Sequence, residues 1–396
     1  MLTNGRWLRV VLILGAASLI LRLETWRSAG AASPSSVGGV STSVARSGRQ
    51  VDNGRFLYAV NQAAAERGSI SVYDVSAGHS LVKKISTVAG VDDVKGVVAS
   101  KAGRLYVAYR TRSGAGMIFC LDIHNDAVIW NRVIDPDVDR LAIDPSGRLL
   151  YVPTWEGRPA DFINVLDAGN GELVRRVYFS SRSHDALYPL SGPLFQETKA
   201  ENGSGRYLYM IDPTTYAVST LGPYSGVLGP YAVDGTSRYV VNNVTDLWGM
   251  QVAELATGRI VSVSLPEHPD GEPGLLHGIG WRPDQAEVWQ SSAAGDPHIY
   301  VWNMHDPMAP VLADRIRMRS SEGSHWLTFD IEGNYAYVAP GKSSGEMTEI
   351  FDAHTHKSVG EIASSEDLIE IDFVDGKVSR VGDQYGIGRV VEHTAR

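Results

Sequence analysis

Three of the chain's 11 histidines stand at one fixed distance from a turn. His184, His277 and His325 each lie eight residues ahead of a tight turn, marked by Gly192, Gln285 and Gly333. The same count from Gly103 and Gly147 reaches Lys95 and Asp139, and the matching position in VLGPYAVDG is Gly229. Imidazoles that converge from separate strands can coordinate a borderline divalent cation, with Asp139 or Asp185 supplying a carboxylate. A ring of such mixed charge also suits a polar or anionic ligand without metal. The same residue types have a structural use, in which each histidine bonds a neighbouring backbone and Lys95 and Asp139 pair. Spacing alone leaves both uses open.

The repeat that carries these positions gives them meaning. Asp74, Asp122, Asp167, Asp212, Glu254, Asn303 and Asp352 occupy one kind of site, a small polar turn between two β-rich runs, at spacings of 48, 45, 45, 42, 49 and 49 residues. Upstream of the last six lies a second turn and run, as in KAGRLYVAY, DPSGRLLYVP and IEGNYAYVAP. Positive φ at the turn and branched side chains on a pleated surface make both features hairpins. Seven units of about 40 to 50 residues, built only from short strands, predict an all-β seven-bladed β-propeller whose blades bury their faces against one another. The first unit begins at GRFLYAVNQ, which matches the second strand of the others. Residues 367–383 read as the missing inner strand of blade 1, closing the ring from the C-terminus and removing exposed edges.

In such a ring the inner strands start at one mouth of the central channel, and Lys95, Asp139, His184, His277 and His325 gather there. The loops after the second strand open on the same face. They contribute Asn61 and Gln62, Tyr109 and Arg110, Trp155 and Glu156, Glu197 and Thr198, Asn242 and Asn243, and Gln290 and Ser291. A rim of aromatic, amide and charged groups suits a small polar ligand or a peptide segment, with Trp155 and Arg110 the usual anchor types. Solvation alone also makes such loops polar.

The turn and strand DGTSRYVVNN, followed by hairpins such as SVYDVSAG, resembles the bacterial YVTN or YncE-like seven-bladed propellers, over residues 53–390. That resemblance implies the fold and leaves function open, since propellers host binding proteins, hydrolases and oxidoreductases alike. The wider superfamily includes lactonase-type propellers, which hold a divalent cation with carboxylate and amide oxygens at the channel mouth. That likeness would make Glu156, Glu197, Asn61 and Asn243 the oxygen donors of a metal-dependent hydrolase. The histidines depart from an all-oxygen cage, and no spacing here repeats a lactonase motif. No repeat carries the Gly-His and Trp-Asp pairs of WD40.

Residues 1–31 are of another kind. Arg6 and Arg9 precede an apolar run over 10–21, and Ala29, Gly30 and Ala31 make an A-x-A match. This is the pattern of a secretory signal peptide, with an uncleaved membrane anchor as the alternative because residues 22–27 are charged. Residues 32–52, rich in Ser, Gly and Val, read as a flexible linker and 391–396 as a tail. Export to a bacterial periplasm or the cell exterior is expected either way. The net charge of −9, which becomes −12 without residues 1–31, suits no nucleic-acid partner. Cys120 is the single cysteine, so it reads as a small core residue that forms no internal disulfide. Trp281, Trp289, Trp302 and Trp326 read as packing between blades. No Gly-rich phosphate loop, CxxCH, HExxH or GxSxG stretch occurs. The expectation is therefore a monomeric exported propeller that binds a small polar ligand or a protein or peptide partner, with a divalent metal ion as the one cofactor its ring would take. A lactonase-type metal-dependent hydrolase is the alternative, and a redox accessory protein a third reading.

Overall fold

The structure, a computed structural model, describes residues 47–48, 51–154, 160–199, 204–266, 276–293, 295–320, 323–340 and 346–383. The expected signal segment, the C-terminal tail, and Trp155 and Glu156 lie outside them. A short strand with one apolar face cannot bury it alone, and seven antiparallel sheets meet this need by stacking side by side. Strands are lettered A to D from the channel outwards. Blade 1 comprises Asp367–Val374, Gly54–Val60, Ile70–Asp74 and Ser80–Ile85. Blade 2 comprises Val91–Ser100, Arg104–Thr111, Gly116–Asp122 and Ala127–Val133, and blade 3 Ala142–Ile143, Leu149–Val152, Phe162–Asp167 and Leu173–Tyr178. Blade 4 comprises Arg182–Leu187, Leu194–Lys199, Leu208–Ile211 and Val218–Leu221, and blade 5 Leu228–Val233, Tyr239–Val244, Gly249–Glu254 and Ile260–Ser264. Blade 6 comprises Leu276–Trp281, Glu287–Ser292, His298–Asn303 and Val311–Arg317, and blade 7 Ser324–Phe329, Tyr335–Pro340, Thr348–Asp352 and Lys357–Ile362. Among the described residues there is no α-helix, and no helix is long and apolar enough to cross a membrane.

The recurring acidic residue proves to be a turn device. Asp122 Oδ1 accepts from the His124 N–H at 2.9 Å, Asp167 Oδ1 from Gly169 at 2.7 Å, Asp212 Oδ1 from Thr215 at 2.7 Å and Asp352 Oδ1 from Thr355 at 2.7 Å. A short carboxylate that caps its own backbone fixes the C–D hairpin. Asp74 and Asn303 cap in the same way, while Glu254 accepts from the Thr257 hydroxyl at 2.7 Å, so the recurrence is folding chemistry rather than a repeated ligand site. The A–B turns show the positive φ their sequences demand, with Gly147 at 71°. Even the side-chain-bearing Ser237 and Gln285 adopt it, at 54° and 65°.

Ring closure follows the expected route. Asp367–Val374 pairs antiparallel with Gly54–Val60, from Gly54 opposite Phe373 to Val60 opposite Asp367. Residues 367–383 do not form one strand, however. Asp375 and Gly376, at φ 51° and 70°, turn the chain back, and Lys377–Val381 pairs with the channel-side edge of Asp367–Val374. An Asp-Gly pair at positive φ is the tight hairpin turn, so blade 1 gains an extra strand on the channel axis. A cleft of about 240 Å³ lies between Val381 and the A–B turns of blades 2, 3 and 4, and a separate cavity of about 20 Å³ lies beside Ile369, Gly382 and Asp383. At the outer edge, Ser47–Gly48, within the stretch expected as linker, pairs with Lys84 and Lys83.

Between blades the core is apolar and aromatic. Trp281, Trp289, Trp302 and Trp326 are all buried, as is Cys120. Burial pushes the Cys120 thiol up to about 12, which leaves it an unreactive small core residue.

Candidate functional site at the channel mouth

In an even strand neighbouring side chains face opposite ways. Strand A breaks that rule at the mouth. Its register shifts between Val94 and Gly96, Ser183 and Ala186, Leu228 and Tyr231, Leu276 and Ile279, and Ser324 and Trp326. Lys95, His184, Gly229, His277 and His325 all fall inside these bulges, which re-aim side chains locally. In blade 4 the bulge brings two adjacent residues together, with His184 Nδ1 3.3 Å from Asp185 Oδ1.

His184 is the centre of an acidic cluster. Its Nδ1 lies 3.1 Å from Glu197 Oε2 and its Nε2 lies 3.8 Å from Asp139 Oδ2. Lys199 Nζ holds the other oxygen of Glu197 at 2.8 Å. Burial on its own would lower the pKa of this imidazole, but Asp185, Glu197 and Asp139 overcome it and raise it to about 10. Asp185 is fully buried too, and the His184 and Arg140 cations hold it well below the usual carboxylate range against the desolvation that would raise it.

His277 and His325 are built differently. Their rings stack at 3.9 Å between centroids, and the His277 Nδ1–H donates to the His325 carbonyl at 2.7 Å. His325 Nδ1 meets Glu366 Oε2 at 2.6 Å. Burial, with His325 and Arg140 beside it, drives the pKa of His277 well below the ordinary histidine value. This pair ties blade 6 to blade 7 as the structural use of the histidines requires.

Arg140 joins the two ends. It lies 3.9 Å from Asp185, 3.5 Å from Glu366 and 3.8 Å from Asp367, with its guanidinium 3.5 Å over the Trp326 ring. A polar chain thus crosses the mouth from blade 4 through blade 3 to blades 1, 7 and 6. Trp326 is accordingly channel wall as well as packing.

Other predicted residues take narrower roles. Lys95 pairs with Asp93 in its own strand, and Arg110 Nε lies 3.4 Å from Asp137. Asn61 donates to Ser69 and Ser71 at 2.8 and 3.1 Å. Asn243 donates to the His277 carbonyl at 2.6 Å, and its own oxygen accepts from Gln290 at 2.6 Å. These amides serve the blades rather than a common oxygen cage. The grouping that brings metal-type ligand atoms within 4.8 Å of one another, among the described residues, is Asp139, His184 and Asp185. Arg140, Glu366, Asp367 and Lys199 escape the eight-residue count. Arg140 is one position away from Asp139. Blade 1 has no A–B turn to count from, because its strand A comes from the far end of the chain.

Fold and site together define a seven-bladed β-propeller with a charged network across its channel mouth. No protein-family model matches the chain, and no curated protein does. Among solved structures it is similar to the dihydro-heme d1 dehydrogenase NirN in complex with DHE, at 15% identity, covering 85% of this chain and 76% of that one, with a TM-score of 0.54. It is similar also to Kuenenia stuttgartiensis hydrazine synthase, at 12% identity over 75% of this chain and 98% of that one, TM-score 0.54. The β-propeller domain of Myceliophteria thermophila Cps50 (Swd1) is 13% identical over 74% of this chain and 97% of that domain, TM-score 0.54. Likeness at these identities concerns the fold alone.

Proposed function

We propose that this chain is an exported, monomeric binding propeller of the YVTN or YncE-like kind, with its ligand site at the channel mouth and a preference for small cationic ligands. One observation carries the reading. Among the described residues, Asp139, Asp185, Glu197, Glu366 and Asp367 are five buried carboxylates that meet Arg140, Lys199 and the imidazoles of His184 and His325. The neighbouring pairs Lys95–Asp93 and Arg110–Asp137 balance one to one. Buried acidic excess costs stability unless a cation offsets it. The test is a thermal-shift panel on the exported protein with spermidine, a lysine-rich peptide, Ca²⁺, Mn²⁺ and Zn²⁺. At least one cation should raise Tm in wild type and not in Asp185→Asn, whereas an unchanged Tm throughout removes the reading.

The lactonase-type hydrolase is the second reading, supported by the metal-type grouping of Asp139, His184 and Asp185. It requires lactone or ester turnover that a chelator abolishes.

A further inference from the structure

The acidic excess does not by itself choose between an organic cation and a metal ion. The space at the cluster does. The side chains of His184, Asp139 and Asp185 are 11%, 5% and 1% exposed, which suits a single ion better than a carbon skeleton. We propose that Asp139, His184 and Asp185 bind one divalent first-row transition cation, such as Zn²⁺ or Mn²⁺, with Glu197 and Lys199 as positioning residues, the incoming ion replacing one imidazole proton of His184, which leaves to solvent. The proposal rests on the channel mouth being a cation site.

Three observations support it. First, each of the three residues offers a ligand atom within 4.8 Å of the other two. Metal bonds of about 2.0–2.2 Å set ligand atoms roughly 3–4 Å apart, so small side-chain shifts complete the site. Second, the imidazole is held as metal-binding imidazoles are. Glu197 takes Nδ1 at 3.1 Å and is itself held by Lys199 at 2.8 Å, leaving Nε2 on the Asp139 side. A carboxylate behind the ring fixes its orientation and raises its basicity toward a metal. Third, Asp185 is fully buried, and neither of its carboxylate oxygens accepts a hydrogen bond among the described residues. His184 Nδ1, shared with Glu197, and Arg140 supply charge to it from 3.3 and 3.9 Å. Buried lone pairs left this way are costly, and a cation between Asp185 and Asp139 would use them. One imidazole with two carboxylates favours Zn²⁺ or Mn²⁺ over Ca²⁺ and Mg²⁺, which take all-oxygen sets. Arg140 keeps Glu366, Asp367 and the Trp326 ring as partners when a cation occupies Asp185.

The experiment is isothermal titration of the chelator-treated exported protein with Zn²⁺, Mn²⁺, Ca²⁺ and spermidine, beside Tm measurements. Zn²⁺ or Mn²⁺ should bind at one equivalent per chain and raise Tm, with Ca²⁺ much weaker. Asp185→Asn should abolish that binding and His277→Ala should leave it as in wild type. Where Asp185→Asn does not fold, Glu197→Gln serves, with affinity about 10- to 100-fold lower. Equal metal affinity in wild type, Asp185→Asn and Glu197→Gln overturns the proposal. So does a response to spermidine alone that depends on Asp185, although that result leaves the cation-binding reading standing. Silence from every cation overturns both.

Discussion

His184 in blade 4 and His277 in blade 6 occupy the same bulge position, yet the channel mouth uses them in opposite senses. Three carboxylates surround His184 and make it a cation. His277 meets a second ring, a carbonyl and the nearby Arg140 charge, and stays neutral. The difference lies in what the neighbouring blades bring to the same geometry. A repeated position in a propeller is therefore a repeated direction, and its chemistry is set by its partners.

The harshest way to break the contrast is to remove what both ends share. Deleting everything after Ser365 takes away strand A of blade 1 together with Glu366 and Asp367, partners of His325 and Arg140. Unpaired edges at the channel wall should give aggregation or loss of a cooperative melt. A truncated chain that elutes as a monomer and melts like wild type would contradict the closure.

Next in size is His184→Ala, which leaves Glu197 and Asp185 buried around a missing cation. We expect a loss of about 3 kcal/mol in urea unfolding at neutral pH. The folded pKa of His184 is raised from 6.5 to about 10, so its contribution is complete below pH 6.5 and fades as pH climbs through 10. The variant should lack that alkaline decline.

His277→Ala should cost less, about 1–2 kcal/mol, for one buried hydrogen bond and the ring stack. Its pH signature has the reverse sign. The folded pKa lies well below 6.5, so in wild type the unfolded chain takes up a proton first as pH falls below 6.5 and stability drops. His277→Ala should flatten that acid limb and leave the alkaline one intact. Identical pH profiles for the two variants would erase the contrast.

The smallest effect tests independence. His184→Ala and His277→Ala should add within about 0.5 kcal/mol, whereas His277→Ala and His325→Ala, in ring contact, should not. Coupling of the first pair as strong as the second would show that Arg140 transmits between the ends.

Much of this architecture was legible in the chain. The turn residues were readable because a capping carboxylate and a positive φ are local demands, visible at Asp167 and Gly147. The inner-strand positions were readable because each blade repeats one register. Partners across the channel were not, since sequence distance carries no information about what faces Asp185 from blade 3. Arg140 shows this, reaching residues 226 and 227 positions away. The inner hairpin was half legible. Its Asp375-Gly376 signal lies in the open, but reading residues 367–383 as one strand hides it.

The axial strand Lys377–Val381 also bears on traffic. It lies along the channel side of Asp367–Val374, so among the described residues it takes up width at the end of the channel where the A–B turns lie. A solute held at His184 would then exchange chiefly past the opposite mouth. A protein seated over that mouth would slow escape as much as arrival, and would leave equilibrium affinity unchanged unless it touches the solute itself.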